Sequence, residues 1–348
     1  MEAAAKTALP PKGRIEEIDI AKGLGILCVL LGHRSEGAVM AFLYLFHMPL
    51  FFVLSGLLIR DEELSLRKAP GKDAKLLAAY VFYSAVFLLF RCIRSLKALT
   101  LLEGLASTVS FFGIDILWFL GSLFLAKLAV RLLKKRDAAV QAVVVFGVYA
   151  VCFFASRLLL SLRYESMPMK LLRLFSWSAV RTGVVLVFVW LGCFFRKSVF
   201  AFLEKCRGSV PLCAGAAAVS FLCLLPFVKG KMIDYHLLEN GPFLLDIFTG
   251  CCGTAMILAL SVLAGKGAAF LRRYLAFAGK STLHFMASEF FKLSVPLYLA
   301  LEQALGAPLY KPVGFIVYTA LLSAAVRLLA PLLDRGIGQI EKGLRRLL

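Results

Sequence analysis

The sequence predicts an all-α, polytopic membrane helix bundle of about ten transmembrane helices, with both termini in the cytosol. Three observations predict it. Hydrophobic residues make up 61% of the chain and mean hydropathy is +0.85, whereas a soluble domain is only about half apolar. Apolar runs long enough to span hydrocarbon recur from end to end, separated by short charged breaks. Basic residues are divided unequally between alternate breaks, and that asymmetry sets orientation in a bilayer. No polar block is long enough for a soluble domain, so residues 1–348 read as a single integral membrane domain with a polar tail at 1–17.

The tail carries Pro10, Pro11, Lys12 and Arg14. Ten apolar segments follow at about 18–34, 38–59, 76–94, 107–131, 138–160, 174–195, 209–228, 242–264, 270–294 and 312–333. The first begins with Asp19 and Lys22 and ends in a poor small-residue site, so it reads as a retained helix and not a cleaved signal. SFFGIDILWFL and LRLFSW place aromatic residues near one interface, as an aromatic belt does. The connections at about 95–106, 161–173, 229–241 and 295–311 are longer than simple turns. No internal repeat supports an inverted-repeat transporter.

One set of connections holds 23 basic residues: Lys6, Lys12, Arg14; Arg60, Arg67, Lys68, Lys72, Lys75; Arg131, Lys134, Lys135, Arg136; Arg196, Lys197, Lys205, Arg207; Lys266, Arg272, Arg273; and Arg335, Lys342, Arg345, Arg346. The alternate set holds 9: Arg34; Arg91, Arg94, Lys97; Arg163, Lys170, Arg173; and Lys229, Lys231. The richer side is cytosolic, and an even number of crossings brings both termini to it. Topology therefore explains most of the net charge of +19, and nucleic acid is not an expected partner. The 9 cysteines are odd in number, mostly inside apolar runs and without a Cys-x-x-Cys. They read as packing residues, not as a metal site or disulfides. The chain also lacks a phosphate loop, a His-Glu-x-x-His and a Gly-x-Ser-x-Gly.

Residues 18–59 carry the chemistry. Ionisable side chains are expensive at membrane depth, which makes Asp19, Lys22, His33 and His47 candidates. Lys22 and His33 are close to three helical turns apart, so they share a face, separated by about 16 Å along the axis. Asp19 and Lys22, three residues apart, could instead simply neutralise each other. Pro49 should kink the second helix in its middle. His47 then either satisfies the broken backbone or belongs to a site. Ser55-Gly56 permits close helix packing. Glu289 lies inside the ninth segment, where pairing with Lys292 is the alternative to a site role. His284 and Asp246 are weaker candidates of the same kind, and Asp115 reads as a solvated interfacial residue.

Lys22, the ten residues Gly23 to Gly32 and then His33 resemble the first helix of the acyltransferase-3 family of integral membrane acyltransferases, where a basic residue, often arginine, precedes a histidine by that interval. Phe46-His47-Met48-Pro49-Leu50-Phe51-Phe52 with Leu54-Ser55-Gly56 looks most like the fucose-4-O-acetylase-like branch. Trp118-Phe119-Leu120 and Gly279-Lys280-Ser281-Thr282-Leu283 also resemble family signatures, although the latter often continues to a histidine where this chain has Glu289. The resemblance implies transfer of an acyl group, usually acetyl, from cytosolic acyl-CoA to a hydroxyl of a cell-surface or lipid-linked carbohydrate. It implies no bound cofactor, and acetyl-CoA is the donor substrate. His33, Lys22, Asp19 and His47 are then the catalytic candidates, and Ser55, Trp118 and Glu289 the substrate-binding candidates. The expected location is the inner, cytoplasmic membrane as a multi-pass protein; homo-oligomerisation is left open. Two other functions fit a chain with buried charges: a small-molecule, amino-acid-like permease, and a non-catalytic subunit of polysaccharide assembly.

Overall fold

The computed structural model describes residues 15–59, 73–95, 98–230, 233–290, 300, 302–304 and 312–347. The polar tail before Ile15 and the basic stretch 60–72 lie outside them. The helices are α1 (Glu16–Gly32), α2 (Gly37–Tyr44), α3 (His47–Leu57), α4 (Ala74–Ser95), α5 (Ala98–Val109), α6 (Trp118–Leu133), α7 (Ala138–Ser161), α8 (Met167–Phe194), α9 (Arg196–Gly208), α10 (Val210–Leu224), α11 (Leu245–Lys266), α12 (Ala269–Lys280), α13 (Thr282–Phe290) and α14 (Pro312–Leu347). Among the described residues no strand forms; Asp234 and Glu239 make one isolated bridge.

The all-helical membrane bundle is as expected. Among the described residues, 8 segments are long and apolar enough to cross a bilayer. The first and ninth expected segments are not among them: α1 has only 17 residues, and the ninth divides into α12 and α13 at Ser281. The physical reason for that division is local. The Thr282 hydroxyl donates to the Gly279 carbonyl at 2.7 Å, replacing a backbone donor at the end of α12. The connection expected at 95–106 is largely the helix α5.

The second expected segment also differs. It breaks at Leu45–Phe46 and not at Pro49. Proline acts on the residue four before it, because it has no N–H for that carbonyl and its ring crowds it. Pro49 thus falls in the first turn of α3, where a missing N–H leaves nothing unsatisfied. Helix α11 accommodates the break with two glycines. A Cβ on Gly253 would lie 2.0 Å from Phe46 Cβ, and one on Gly250 would lie 2.7 Å from Pro49 Cβ.

Two parallel helix pairs form the centre. A Cβ on Gly23 of α1 would lie 2.1 Å from the Leu275 carbonyl oxygen of α12, and one on Gly279 would lie 1.8 Å from that of Asp19. The Glu16–Arg272 ion pair at 3.6 Å keeps the same register. Helices α3 and α8 repeat the device: Gly56 abuts the Val189 carbonyl and Gly192 the Val53 carbonyl, each at 2.1 Å from a built Cβ. Lipid tails are as apolar as the side chains, so close backbone approach replaces the hydrophobic effect as the cause of association. Helix α8 buries 67% of its most apolar window, whereas α7 buries 17%, which makes α8 central and α7 peripheral.

One end of the bundle gathers the basic connections. Arg207 pairs with Glu17 at 2.7 Å, Lys266 donates to the Arg207 carbonyl, Arg131 pairs with Asp73 at 2.8 Å beside a Lys127–Asp73 contact, and Arg196 donates to the Leu57 carbonyl. Helices α1 and α12 start from this end; α3 and α8 finish there.

The glycine crossings predict a sharp contrast. Gly192→Ala should lower stability by roughly 1–3 kcal/mol, the usual magnitude for overpacking. Gly147→Ala in α7, where a Cβ meets nothing within 4 Å, should be neutral or stabilising by up to about 1 kcal/mol. Denaturation of the two purified variants in detergent checks the order.

Candidate active site

A cavity of about 170 Å³ lies at the end of α1 opposite the basic connections. Its lining comes from seven parts of the chain. Helix α1 supplies Ile26, Val29 and His33, α2 supplies Tyr44, and α3 supplies His47, Met48 and Phe51. The turn Asp115–Leu117 and α6 supply Asp115, Ile116, Trp118 and Phe119. Asp234 and His236 come from the connection before α11, and Thr282 and Met286 from α13. Ile26, Val29 and His33 are spaced i, i+3 and i+7, one stripe of a helix. Lys22 lies on that stripe one turn nearer the basic end, half-buried and outside the cavity.

His33 is exposed at the mouth, directly after the last residue of α1, and His47 is buried at the start of α3. Tyr44 sits between them, its ring 6.5 Å from that of His33 and 4.6 Å from that of His47. His47 Nδ1 lies 2.9 Å from the Leu43 carbonyl. A carbonyl only accepts, so Nδ1 carries the hydrogen and Nε2 is left as the basic nitrogen. The two readings of His47 therefore coexist: it satisfies a carbonyl at the broken end of α2, and it lines the cavity.

The opposite wall is aromatic and tightly turned. Phe111 and Asp115 adopt left-handed backbone (φ +55° and +53°), and Gly113 between them has φ +78°. A Cβ on Gly113 would lie 2.3 Å from Trp118 N, so glycine lets the turn fold back onto α6. Asp115 is exposed, as expected of an interfacial residue, and also faces the cavity. Trp118 stacks on His236 at 6.0 Å and 8°. Behind Trp118, the buried Arg181 donates to the Phe112 carbonyl at 3.1 Å and lies over the rings of Phe112, Trp118 and Trp177.

Asp234 and His236 lie outside the membrane-spanning segments. The Asp234 carboxylate accepts from the backbone N–H of His236 at 2.8 Å, closing a tight turn. Burial nevertheless raises its pKa, against those backbone bonds. Burial first, and then the positive charges of Arg181 and Arg173, lower His236 from 6.5 to about 4. It is a neutral imidazole at neutral pH.

Of the seven candidate residues, the structure brings three to this cavity: His33, His47 and Trp118. Asp19 is buried where its carbonyl meets Gly279, and Ser55 is half-buried on α3 beside the Gly56 crossing; neither lines the cavity. Glu289 falls on the last turn of α13, and its side chain and Lys292 are outside the described residues. The weaker candidates lie elsewhere. His284 Nδ1 shares a hydrogen bond with the Tyr83 hydroxyl at 2.8 Å, and its Nε2 approaches Asp334 at 3.5 Å. Asp246 accepts from the Tyr149 hydroxyl and from its neighbour's N–H. Tyr44, Asp234 and His236 are cavity residues that sequence reasoning missed. The 9 cysteines are free thiols. Among the described residues no cluster of three histidine, cysteine, aspartate or glutamate side chains could hold a metal ion.

A family model described as an acyltransferase domain, acyltransferase-3, matches residues 15–331. The chain belongs to the acyltransferase-3 family. It is a multi-pass membrane acyltransferase, and the matched region takes in α1 through most of α14, including every part of the cavity wall. Comparison with curated proteins and with solved structures gives no match.

The half-buried, neutral His236 makes a pH dependence testable. Its pKa is depressed in the folded chain, so the unfolded chain binds more protons between pH 6.5 and about 4. Its contribution to stability is therefore complete above pH 6.5 and is lost as pH falls toward 4. The fall in Tm between pH 7 and pH 5 should be smaller in His236→Gln than in the wild type, as read by thermal unfolding of the purified acyltransferase.

Proposed function

We propose that this acyltransferase moves an acetyl group from cytosolic acyl-CoA to a hydroxyl of a cell-surface or lipid-linked carbohydrate, in the manner of the fucose-4-O-acetylase-like branch. The observation that carries this reading is the pair of imidazoles, His33 and His47, on one cavity at the end of the bundle away from the basic connections. CoA is a polyanion, and the basic end of the bundle offers it cations, with Lys22 the nearest of them along the α1 stripe. The acceptor enters at the opposite end, where His33 is exposed.

In the proposed reaction His33 takes the proton from the acceptor hydroxyl. The freed oxygen attacks the thioester carbonyl, the new ester C–O bond forms, and the C–S bond breaks. The CoA sulfur leaves as the thiolate and is then protonated. A pKa near neutrality suits imidazole for the first step. His47, with Nε2 as its basic nitrogen, is the second candidate base. The stretched pantetheine arm would span the separation of about 16 Å along α1 between Lys22 and His33.

His33→Ala and His33→Gln should both lose about 10²–10⁴-fold in turnover, the contribution of a general base, while inserting normally and still binding acyl-CoA. If His33→Gln keeps more than about a tenth of wild-type turnover, which is above that range, His33 is not the base and His47→Gln becomes the variant to assay. For the donor end, Lys22→Ala should raise KM for acetyl-CoA more than Lys22→Arg, because charge is the first requirement of a phosphate contact. An unchanged KM in normally folded Lys22→Ala would remove Lys22 from donor binding.

A further inference from the structure

A second, larger groove lies beside the active-site cavity, at the same end of the bundle. Its volume is about 530 Å³, and it runs between the C-terminal part of α4, α5 and the N-terminal part of α8. Three exposed cations line it, Arg91, Lys170 and Arg173, and the remaining lining is largely apolar and aromatic, with Phe112, Tyr164 and Leu171 among it. Among the described residues, Glu103 is the one acid in that lining.

The placement of these cations opposes the charge rule that the rest of the chain follows. The alternate set of connections holds only 9 basic residues, and 6 of them fall in the stretches 91–97 and 163–173. Positive charge on a translocated segment works against insertion, and three of these residues, Arg91, Lys170 and Arg173, line one groove, where a bound anion would offset their cost. The arrangement is also built in advance. The Arg173 guanidinium lies 4.5 Å over the Trp177 ring and 5.7 Å over that of Tyr164. Those two rings are themselves joined, with Trp177 Nε1 donating to the Tyr164 hydroxyl at 3.2 Å and that hydroxyl donating to the Leu159 carbonyl at 2.8 Å.

We infer that this groove binds a lipid with a phosphate-bearing headgroup, the phosphate on Arg91, Lys170 and Arg173 and the chains on the apolar lining. Three cations around one net-negative group give charge complementarity, and basic residues at a membrane surface each add to the retention of an anionic lipid. Resting on the carbohydrate-acceptor reading above, the lipid is the carrier of the acceptor sugar. The two sites share a wall. Phe112 lines the groove and Trp118 lines the cavity, and the Arg181 guanidinium lies between their rings, 4.4 Å from one and 5.6 Å from the other. Phe112, Arg181 and Trp118 are thus the layer between a phosphate in the groove and the cavity that holds the imidazoles.

Native mass spectrometry of the full chain in detergent tests binding without acetyl transfer, so its result stands apart from the fate of the transferase reading. The probes are dioleoyl phosphatidate, dioleoylglycerol with the same chains, and glycerol 3-phosphate. The wild type should retain phosphatidate at least about tenfold more strongly than dioleoylglycerol, and Arg91→Gln/Lys170→Gln/Arg173→Gln should lose about tenfold or more of that retention. Lys135→Gln/Lys197→Gln/Lys205→Gln, at the basic end, should lose none. If the first triple variant does not accumulate, Lys170→Gln alone, at an exposed side chain, should still show a several-fold loss. Equal retention of phosphatidate and dioleoylglycerol overturns the inference. So does retention unchanged by the groove variants. Displacement of phosphatidate by glycerol 3-phosphate overturns it too, by making the groove a soluble phosphate site.

Discussion

The contact of a glycine face with a neighbouring helix's carbonyl is the interaction on which this acyltransferase depends. It occurs twice in reciprocal form, between α1 and α12 and between α3 and α8. Each pair runs parallel, so the members begin or finish together at the basic end. In lipid nothing expels the helices from their surroundings, and only surfaces that approach closely hold together. Because α1 is locked to α12, the continuation of α12 into α13 brings Thr282 and Met286 opposite Ile26 and Val29. The locking of α3 to α8 likewise holds His47 within reach of the Trp118 wall. The cavity is thus a by-product of two backbone contacts made nearer the opposite end of the bundle.

The break between α2 and α3 adds the second constraint. It turns a single expected crossing into two shorter helices, places Tyr44 at the end of one and His47 at the start of the other, and opens room between them. The glycines of α11 receive Phe46 and Pro49, so the break is packed and not merely permitted. An aromatic wall built on the left-handed turn at 111–115 closes the far side.

Much of this was legible in the chain. The apolar runs revealed the helices, and the cost of ionisable groups in lipid singled out His33 and His47, both of which reach the cavity. The same cost singled out Asp19 and Lys22, which do not, because a buried charge indicates some satisfied environment and not which one. The location of the break was off by about a turn, since proline disturbs the carbonyl four residues earlier and not its own position. Asp234 and His236 did not stand out by the same criterion. In a polar connection an ionisable residue costs nothing, so MIDYHLLENG looked like any loop. A density of acid and imidazole in one short connection between two spans was the available clue. Tyr44 was invisible for another reason: an aromatic residue near a membrane interface is ordinary.

The contact from His47 Nδ1 to the Leu43 carbonyl has a further meaning for how such a site tolerates change. The partner that decides which ring nitrogen holds the hydrogen belongs to the main chain, so every amino acid at position 43 offers it equally. Neighbouring side chains can drift, reshaping the cavity for a different molecule, without rewriting the protonation pattern of that imidazole. What an acceptor touches and what fixes the imidazole's polarity are thereby separated, and a single scaffold can change its specificity while keeping its chemistry.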